Sequence, residues 1–452
     1  MDDVNQIIRE FIEETKELVG NIESISDETA IELYDMYDEC AKLCSDNKNI
    51  NPSIRVKISI IMDEILERIV DIPWFEIKVE AQIYTPAIQG YRFWGNTELM
   101  KDKGLTGYML GKEVGAESKM FFCSKQANYS YSEVLSDMEL ISCDKDELNE
   151  GMYEDFLIKN YNDMDILILH GMYNETIKFL AQYRILRPDG IVYCGLDMNR
   201  YWMKRIDWNA ESARNFARQC NIIATSCTSL RDKLNANPDV SFICRYLPNG
   251  FYNPLNIKIS AEYESKQNTI ITVGRIGSEQ KNNIELMLAF AKISKNIPGW
   301  NLKFIGEIET EFEEVIEKYF KAMPELKDRV VFTGGISDKK ELYKEYSKAK
   351  IFALTSILEG GPNVYAEALF HGCMFITSDI DAADDITNHG ELGEVYKLGE
   401  VDELAKAILR VCTEAEKETI FKTHMTKALE YAKKKYDWKR NAKKLAYQLF
   451  AK

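Results

Sequence analysis

The stretch that decides the fold covers residues 358–369 and reads LEGGPNVYAEAL. It follows an apolar run at residues 351–354, which the pattern predicts as a short buried strand. Pro362 is expected at the first position of a helix, where its missing N–H costs no hydrogen bond. A strand, a glycine turn and a helix N-terminus together indicate an anion site, because unpaired backbone N–H groups and the helix dipole both favour a phosphate.

Two carboxylates frame this turn. Glu359 is expected in the turn itself, beside any bound anion, and Glu367 about a turn and a half into the helix. An ionised carboxylate accepts hydrogen bonds from hydroxyl groups. Carboxylates that contact hydroxyls beside a diphosphate indicate a nucleotide-sugar. The alternative is a tight strand-to-helix turn with two solvated glutamates.

The segment resembles the E-x7-E motif of retaining glycosyltransferases with the GT-B fold, in particular glycosyltransferase family 4 (glycosyl transferases group 1). The wording E-G-G-P-N-V-x-x-E-A-L is close to the usual form of that family. The resemblance implies a catalytic role for Glu359. It also implies a donor-binding role for the rest of the motif, namely Gly360, Gly361, Pro362, Asn363, Val364 and Glu367.

A second motif supports the first. The β-branched run at residues 269–273 ends in Gly274, which predicts a strand and a tight turn, and Arg275 and Lys281 follow. The phosphate-binding loop of the family reads similarly, so the resemblance implies that Gly274 contacts the donor and that both cations are catalytic. Two fixed cations stabilise a diphosphate leaving group as its charge develops. Two solvated cations beside a turn are the alternative.

Predicted strands and helices alternate through the second half of the chain, which indicates a doubly wound parallel sheet with ligands at the carboxyl ends of its strands. Gly335 and Ile336 match the turn that lies near the nucleobase in the family. We therefore predict an α/β chain with the GT-B fold: two Rossmann-like doubly wound domains facing a cleft, plus an N-terminal helical extension. The predicted divisions are an acidic helical extension at 1–79, an acceptor domain at 80–255, a nucleotide-sugar domain at 256–430 and a C-terminal helix crossing back at 431–452.

The first predicted domain departs from the family. Many members carry a His-Asp pair after one strand, with the histidine facing the donor sugar, and here the matching residues are Leu196 and Asp197. The loop after the first predicted strand contains few glycines compared with the glycine-rich loop of the family. The candidates for the acceptor or sugar side are Gly90, His170 and Asp197. Asp197 either contacts the sugar or caps a turn, and His170 either faces the ligand or is a structural histidine.

Residues 1–79 fit neither domain. They contain 19 acidic and 8 basic residues, a net charge of −11 out of −16 for the whole chain. Such a surface repels nucleic acid and anionic lipid. We expect these amphipathic helices either to brace the first domain or to bind a protein partner or a second copy of the chain.

The apolar runs and the cysteine usage of the whole chain agree with a cytoplasmic enzyme. No apolar run is long enough to span a bilayer, and the ten cysteines lack C-x-x-C pairs and read as reduced core residues. Attachment to the inner face of the membrane is the alternative location. No metal and no cofactor are expected, because side-chain cations take the role of a metal in the GT-B class.

The predicted function is transfer of a sugar from a nucleoside-diphosphate sugar, preferably a UDP-sugar, to an acceptor hydroxyl with retention at the anomeric carbon. A glycan, a lipid-linked molecule or a protein could be the acceptor, in polysaccharide or glycoconjugate biosynthesis. The rival interpretation is a catalytically silent GT-B-like subunit that acts as a chaperone or scaffold. The helical extension and the missing histidine favour the rival, whereas the intact cations and carboxylates favour the enzyme.

Overall fold

The computed structural model describes residues 2–21, 26–46, 50–72, 77–86, 99–123, 134–143, 150–259 and 262–450. The chain divides into two compact units. The first contains Met1–Tyr252 together with Trp438–Lys452, and the second contains Asn253–Asp437. None of the described helices is both long enough and apolar enough to cross a lipid bilayer.

The first unit is built on a parallel sheet of seven strands in the order β3-β2-β1-β4-β5-β6-β7. Helices connect the strands, and the middle of the sheet is buried, as in a doubly wound fold. The strands are β1 Gln82–Pro86, β2 Glu117–Cys123, β3 Met138–Cys143, β4 Ile166–His170, β5 Ile191–Gly195, β6 Ile222–Thr225 and β7 Cys244–Tyr246. The connecting helices are Asp102–Val114, Glu150–Asn160, Asn174–Leu186, Arg200–Arg205, Glu211–Gln219 and Thr228–Ala236.

Two details of this sheet differ from the sequence-based prediction. The residue pattern predicts a strand over residues 241–249, whereas the strand in the structure, β7, is shorter and covers Cys244–Tyr246. Pro248 follows closely, and proline has no N–H to donate to a ladder. Strand β3 was not predicted, and it pairs in parallel with β2 at the edge of the sheet.

The second unit is a parallel sheet of six strands in the order β10-β9-β8-β11-β12-β13. Two Rossmann-like domains are therefore present, as predicted. The strands are β8 Gln267–Val273, β9 Asn301–Ile305, β10 Val330–Phe332, β11 Ala349–Leu354, β12 Met374–Ser378 and β13 Gly393–Tyr396. The helices are Asn283–Ile293, Thr310–Ala322, Lys339–Lys348, Asn363–Phe370, Ala383–Thr387, Val401–Ala415 and Glu418–Lys435. Strand β13 and the helix Glu418–Lys435 were missed by the sequence prediction.

The order of the second sheet reverses beside β8. Ile270 of β8 pairs with Leu302 of β9 on one side and with Ile351 of β11 on the other. The turns that leave β8 and β11 therefore start side by side at the carboxyl edge. Such a topological switch point is where doubly wound sheets bind ligands.

Three helices precede the first sheet: Asp2–Asn21, Asp27–Asp46 and Pro52–Ile69. Asn51 caps the third by accepting the N–H of Ser53 at 2.9 Å, and Pro52 opens that helix. Their apolar faces form one core that also includes Tyr447 from the final helix, Trp438–Phe450. The N-terminal and C-terminal segments of the chain are thus packed together in the first unit.

Buried ion pairs attach these helices to the rest of the first unit. Arg231 pairs with Asp63. The Glu67 carboxylate forms two ion pairs: Oε2 lies 2.5 Å from a guanidinium nitrogen of Arg440, and Oε1 lies 2.5 Å from Nζ of Lys444. Each cation is largely buried, and the third helix supplies a poorly exposed counter-charge to each of them, in addition to Asp232 for Arg231 and Asp71 for Arg440.

We predict that Glu67→Gln lowers the free energy of unfolding of the first unit by roughly 3 kcal/mol, because it leaves Arg440 and Lys444 without a buried counter-charge. Asp71→Asn is the matched control. Asp71 also binds Arg440, at 2.8 Å, but its side chain is 69% exposed against 14% for Glu67. The control should cost less than about 1 kcal/mol. Urea unfolding followed by tryptophan fluorescence measures both, and equal losses would contradict the prediction.

Candidate functional site

The turn after β8 depends on Gly274. Its φ is 155°, in the region that favours glycine. A Cβ atom there would lie 3.2 Å from Cε of Lys281. Glycine therefore lets the Lys281 side chain lie against the backbone at the carboxyl end of β8.

Gly306, directly after β9, was not among the predicted site residues. Its φ is 150°, and a Cβ atom would lie 1.6 Å from the carbonyl oxygen of Gly274. Its N–H donates to the carbonyl of Gly334 at 3.0 Å. The turns after β8, β9 and β10 are thus packed backbone against backbone. The available signal was a glycine directly after a predicted strand, the same signal that identified Gly274.

The structure brings Lys281 and Glu359 together. Nζ of Lys281 lies 2.5 Å from Oε1 of Glu359, and their side chains are only 16% and 12% exposed. The hydroxyl of Ser356 donates to the same oxygen at 3.0 Å. The second oxygen, Oε2, accepts no hydrogen bond from the part of the chain that the structure describes. The carboxylate is therefore held in place by one oxygen while the other can take a ligand.

Backbone and amide hydrogen bonds join the two turns. The N–H of Ile357 donates to the carbonyl of Gln280 at 2.8 Å, and the Gln280 side-chain amide donates to the carbonyl of Leu358 at 2.9 Å. Arg275 is exposed, and its guanidinium donates to the side-chain oxygen of Gln280 at 3.2 Å. Both predicted phosphate-binding cations therefore leave the same loop at one edge of the sheet.

The motif helix begins one residue later than expected. Pro362 has a ψ of 127° and precedes the helix, so Asn363, and not Pro362, takes the first helical position. Gly360, Gly361 and Val364 are half buried around this N-terminus. Oδ1 of Asn363 is buried and has no hydrogen-bond partner among the described residues. The correction keeps proline outside the helix, where its fixed φ of −68° suits the turn.

Glu367 lies within the motif helix and has its own partners. One carboxylate oxygen pairs with Lys339, and the other accepts the hydroxyl of Tyr346 at 3.0 Å. Burial, together with the nearby Glu367 carboxylate, raises the pKa of Tyr346, so this phenol stays a donor. Neither Lys339 nor Tyr346 was predicted, because both belong to the helix Lys339–Lys348, which only folding places beside the motif helix.

The residues predicted near the nucleobase lie in the loop between β10 and the helix Lys339–Lys348. A Cβ atom on Gly335 would lie 3.1 Å from Cγ of Glu307, and Ile336 is half buried. This loop leaves the same edge of the sheet as Lys281 and leads directly to the cation that pairs with Glu367.

In the first unit, His170 ends β4 and Asp197 follows β5 by two residues. Oδ2 of Asp197 accepts the hydroxyl of Tyr173 at 3.2 Å and lies 3.9 Å from Nζ of Lys103. Nδ1 of His170 lies 3.9 Å from Oδ2 of Asp102. These polar groups gather at the carboxyl edge of the first sheet. The third candidate, Gly90, lies outside the described residues.

His170 is a neutral imidazole. Burial lowers its pKa to about 3, with a further contribution from the Lys103 ammonium, while Asp197 opposes the shift. Its Nε2 is buried and has no hydrogen-bond partner within the described ranges. At neutral pH this side chain can donate a hydrogen bond to a ligand or accept one from it, but it cannot supply a positive charge.

Solved structures of other proteins superpose on most of this chain. Sucrose-phosphate synthase from Thermosynechococcus elongatus superposes with a TM-score of 0.61 at 16% identity, covering 80% of this chain and 96% of that one. The chain has the GT-B fold. HepE of Anabaena, in complex with UDP and glucose, superposes with a TM-score of 0.58 at 15% identity and covers 82% and 99% of the two chains.

The second half of this GT-B chain is similar in sequence to known glycosyltransferases. Residues 256–444 match the model of the family described as Glycosyl transferases group 1. An α-1,4-N-acetyl-D-galactosaminyltransferase of Campylobacter jejuni is 30% identical over 159 residues, which are 34% of this chain and 42% of the relative. An uncharacterized glycosyltransferase of Haemophilus influenzae is 29% identical over 149 residues, 33% and 40% of the two chains. The chain thus spans less than half the length of either relative.

A buried histidine behind the motif helix should make the second unit sensitive to acid. His424 bonds the carbonyl of Cys373 at 3.0 Å, and burial lowers its pKa to about 4. An unfolded histidine titrates near 6.5, so the unfolded state binds more protons below that pH and stability falls as the pH drops from about 6.5 toward 4.

We predict that His424→Gln, which keeps an amide donor but cannot be protonated, reduces this loss. Between pH 7.5 and pH 5 the unmodified protein should lose about 2 kcal/mol more stability than the variant. Urea unfolding of both proteins at the two pH values measures the difference, with pH 7.5 as the reference. Parallel losses would contradict the prediction.

Proposed function

We propose that this protein is a retaining glycosyltransferase that moves a sugar from a nucleoside-diphosphate sugar, preferably a UDP-sugar, to an acceptor hydroxyl. The observation that carries the proposal is the ion pair between Lys281 and Glu359 at the switch point of the second sheet. It places a cation suited to a phosphate within hydrogen-bond distance of a carboxylate suited to a sugar hydroxyl. The family match over residues 256–444 and the UDP bound to HepE support the donor class.

In this proposal each part of the donor has its own contacts. Arg275 and Lys281 bind the diphosphate, together with the N-terminus of the helix that begins at Asn363. Glu367 accepts the ribose hydroxyls. Its two oxygens already bind Lys339 and Tyr346, but a carboxylate has about four acceptor positions, so hydroxyl groups can still be accommodated.

The chemistry assigned to these residues is stabilisation of a separating charge. The bond between the anomeric carbon and the phosphate oxygen breaks, and the acceptor oxygen forms a bond on the same face. The proton of the acceptor hydroxyl passes to an oxygen of the leaving diphosphate. Arg275 and Lys281 stabilise the growing negative charge, and Glu359 stabilises the positive charge at the anomeric carbon. We include no metal in this scheme. A glycosyl adduct trapped on a first-unit side chain would contradict it.

On the acceptor side we propose that Asp197 and the neutral His170 contact hydroxyl groups. The name of the Campylobacter jejuni relative describes an acceptor carried on PP-undecaprenol. By analogy we favour a lipid-linked glycan as acceptor, which would place the protein in the cytoplasm at the inner face of the membrane. We propose that the exposed faces of the described N-terminal helices bind a protein partner or a second copy of the chain.

The competing function, a catalytically silent scaffold, is supported by Leu196 in place of the usual histidine. A panel of UDP-, GDP-, ADP- and CMP-sugars, screened for binding and for slow hydrolysis without acceptor, separates the two. We expect one nucleotide class to bind and its sugar to be released slowly. Binding without release, with or without any acceptor, would favour the scaffold, and the absence of any binding would refute the donor site.

We predict that Lys281→Ala and Arg275→Ala each weaken nucleoside-diphosphate binding by roughly ten- to a hundredfold, because a charge-assisted contact is worth about 1.5–3 kcal/mol. Lys303→Ala is the matched control. It breaks another half-buried lysine–glutamate pair of the same unit, with Glu345 at 2.5 Å, but Lys303 lies within β9 and not in a turn at the carboxyl edge. Calorimetry should show unchanged affinity in the control, and equal affinity in all variants would remove the two cations from the site.

The two motif glutamates should differ in their kinetic effects. Glu367→Ala should mainly raise the KM for the donor, by roughly tenfold, because it removes contacts made equally before and during reaction. Glu359→Gln should lower kcat at saturating donor, on the order of a hundredfold, because it removes charge stabilisation that grows in the transition state. Both are measured with the true acceptor. A near-normal kcat for Glu359→Gln would show that its charge is not part of the mechanism.

A further inference from the structure

Thr355 lies directly after β11, at the switch point, and is only 1% exposed. Its hydroxyl lies 3.0 Å from the carbonyl oxygen of Lys281 and 3.0 Å from that of Asn282. A hydroxyl carries one proton, so the two carbonyls share it or alternate. This contact joins the end of β11 to the backbone of the loop that carries Lys281.

That backbone makes a demanding turn. Asn282 has a φ of 47°, a left-handed conformation that asparagine tolerates better than most residues, and the helix Asn283–Ile293 begins immediately afterwards. The Asn282 side chain bonds Glu285 at 2.5 Å. A buried carbonyl without a donor is costly, so the hydroxyl of Thr355 stabilises the conformation of the chain on both sides of this turn.

Both the backbone and the side-chain ammonium of Lys281 are therefore held by residues of the segment that follows β11. Its carbonyl accepts from Thr355, and its ammonium binds Glu359, which is itself oriented by the hydroxyl of Ser356. Neighbouring hydroxyls after β11 thus orient the two members of the ion pair, Thr355 through the backbone and Ser356 through the carboxylate. A lysine side chain is flexible and loses affinity for an anion when its backbone is not fixed.

We propose that Thr355 is a positioning residue: its hydroxyl fixes the backbone from which Lys281 reaches the donor diphosphate. This inference rests on the proposed function, because it needs the diphosphate at Lys281. Thr355 itself is buried, so its effect on the donor is exerted through Lys281. Its removal should therefore weaken binding of the phosphates without changing the contacts of the nucleoside.

The experiment compares the affinities of UDP and uridine, by calorimetry and by ligand-observed NMR, in the full-length protein. Thr355→Val keeps the shape and removes the hydroxyl, and it should weaken UDP binding about three- to tenfold, the value of one hydrogen bond, with uridine unchanged. Thr355→Ser restores the hydroxyl and should return UDP affinity to within about twofold of the unmodified protein. In a Lys281→Ala background, Thr355→Val should have no further effect on UDP affinity.

Thr387→Val is the matched control. Thr387 is buried in the same unit, donates to the carbonyl of Ala383 at 2.8 Å and accepts the N–H of Gly390, so its loss costs stability without touching the Lys281 loop. In Thr387→Val, the ratio of the affinity for UDP to the affinity for uridine should equal that of the unmodified protein. If Thr355→Val does not fold, Thr355→Cys, which keeps a weak S–H donor, should give a smaller change of the same ratio.

The outcomes separate this inference from the proposed function. If the unmodified protein binds UDP but Thr355→Val binds it equally well, or loses uridine to the same extent, the positioning role is refuted while the donor site stands. If the unmodified protein binds no UDP, the proposed donor class fails and the inference fails with it. A loss in Thr355→Val that Thr355→Ser does not restore would also overturn it, because the hydroxyl would not be the cause.

Discussion

The ion pair between Lys281 and Glu359 is the interaction on which the geometry of the second unit depends. Its 2.5 Å distance is possible because β8 and β11 are neighbours and their following turns leave the same edge of the sheet. Gly274 leaves room for the Lys281 side chain, and Gly306 lets the turn after β9 pack against the turn after β8. Two half-buried charges of opposite sign are stable together, whereas either one alone would carry a desolvation cost. The ion pair therefore holds both side chains at the switch point of the sheet.

The first unit uses the same physics for a structural purpose. Most of the net negative charge of the chain is in its first 79 residues, yet the helices described there are packed against the Rossmann-like domain. They bring carboxylates to buried cations, with Asp63 on Arg231 and Glu67 on Arg440 and Lys444. The final helix shares their apolar core through Tyr447, so the N-terminal and C-terminal segments stabilise each other.

Much of the second unit could be predicted from the sequence. Its strands are short apolar runs that end in glycine or small polar residues, and the helices between them have clear starts and stops. Strand β13 was missed because its residues, Gly393–Tyr396, are only partly apolar. In the first unit the edge strand β3 was missed, and β7, at the opposite edge of the sheet, was predicted too long. Pro362 was placed one position too far into its helix, because a preference for the first turn does not distinguish adjacent positions.

The sequence by itself determined the class of fold and the residue types of the donor site, because the spacing of the motif, its glycines and the strands before them are local properties of the chain. Only the tertiary structure decided the partners. Glu359 acquired Lys281 and Ser356, Glu367 acquired Lys339 and Tyr346, and His170 became a buried, neutral imidazole. Apart from Ser356, which lies three residues before Glu359, these partners come from other segments of the chain. Their distances follow from the order of strands in the sheet, which no local pattern of residues contains.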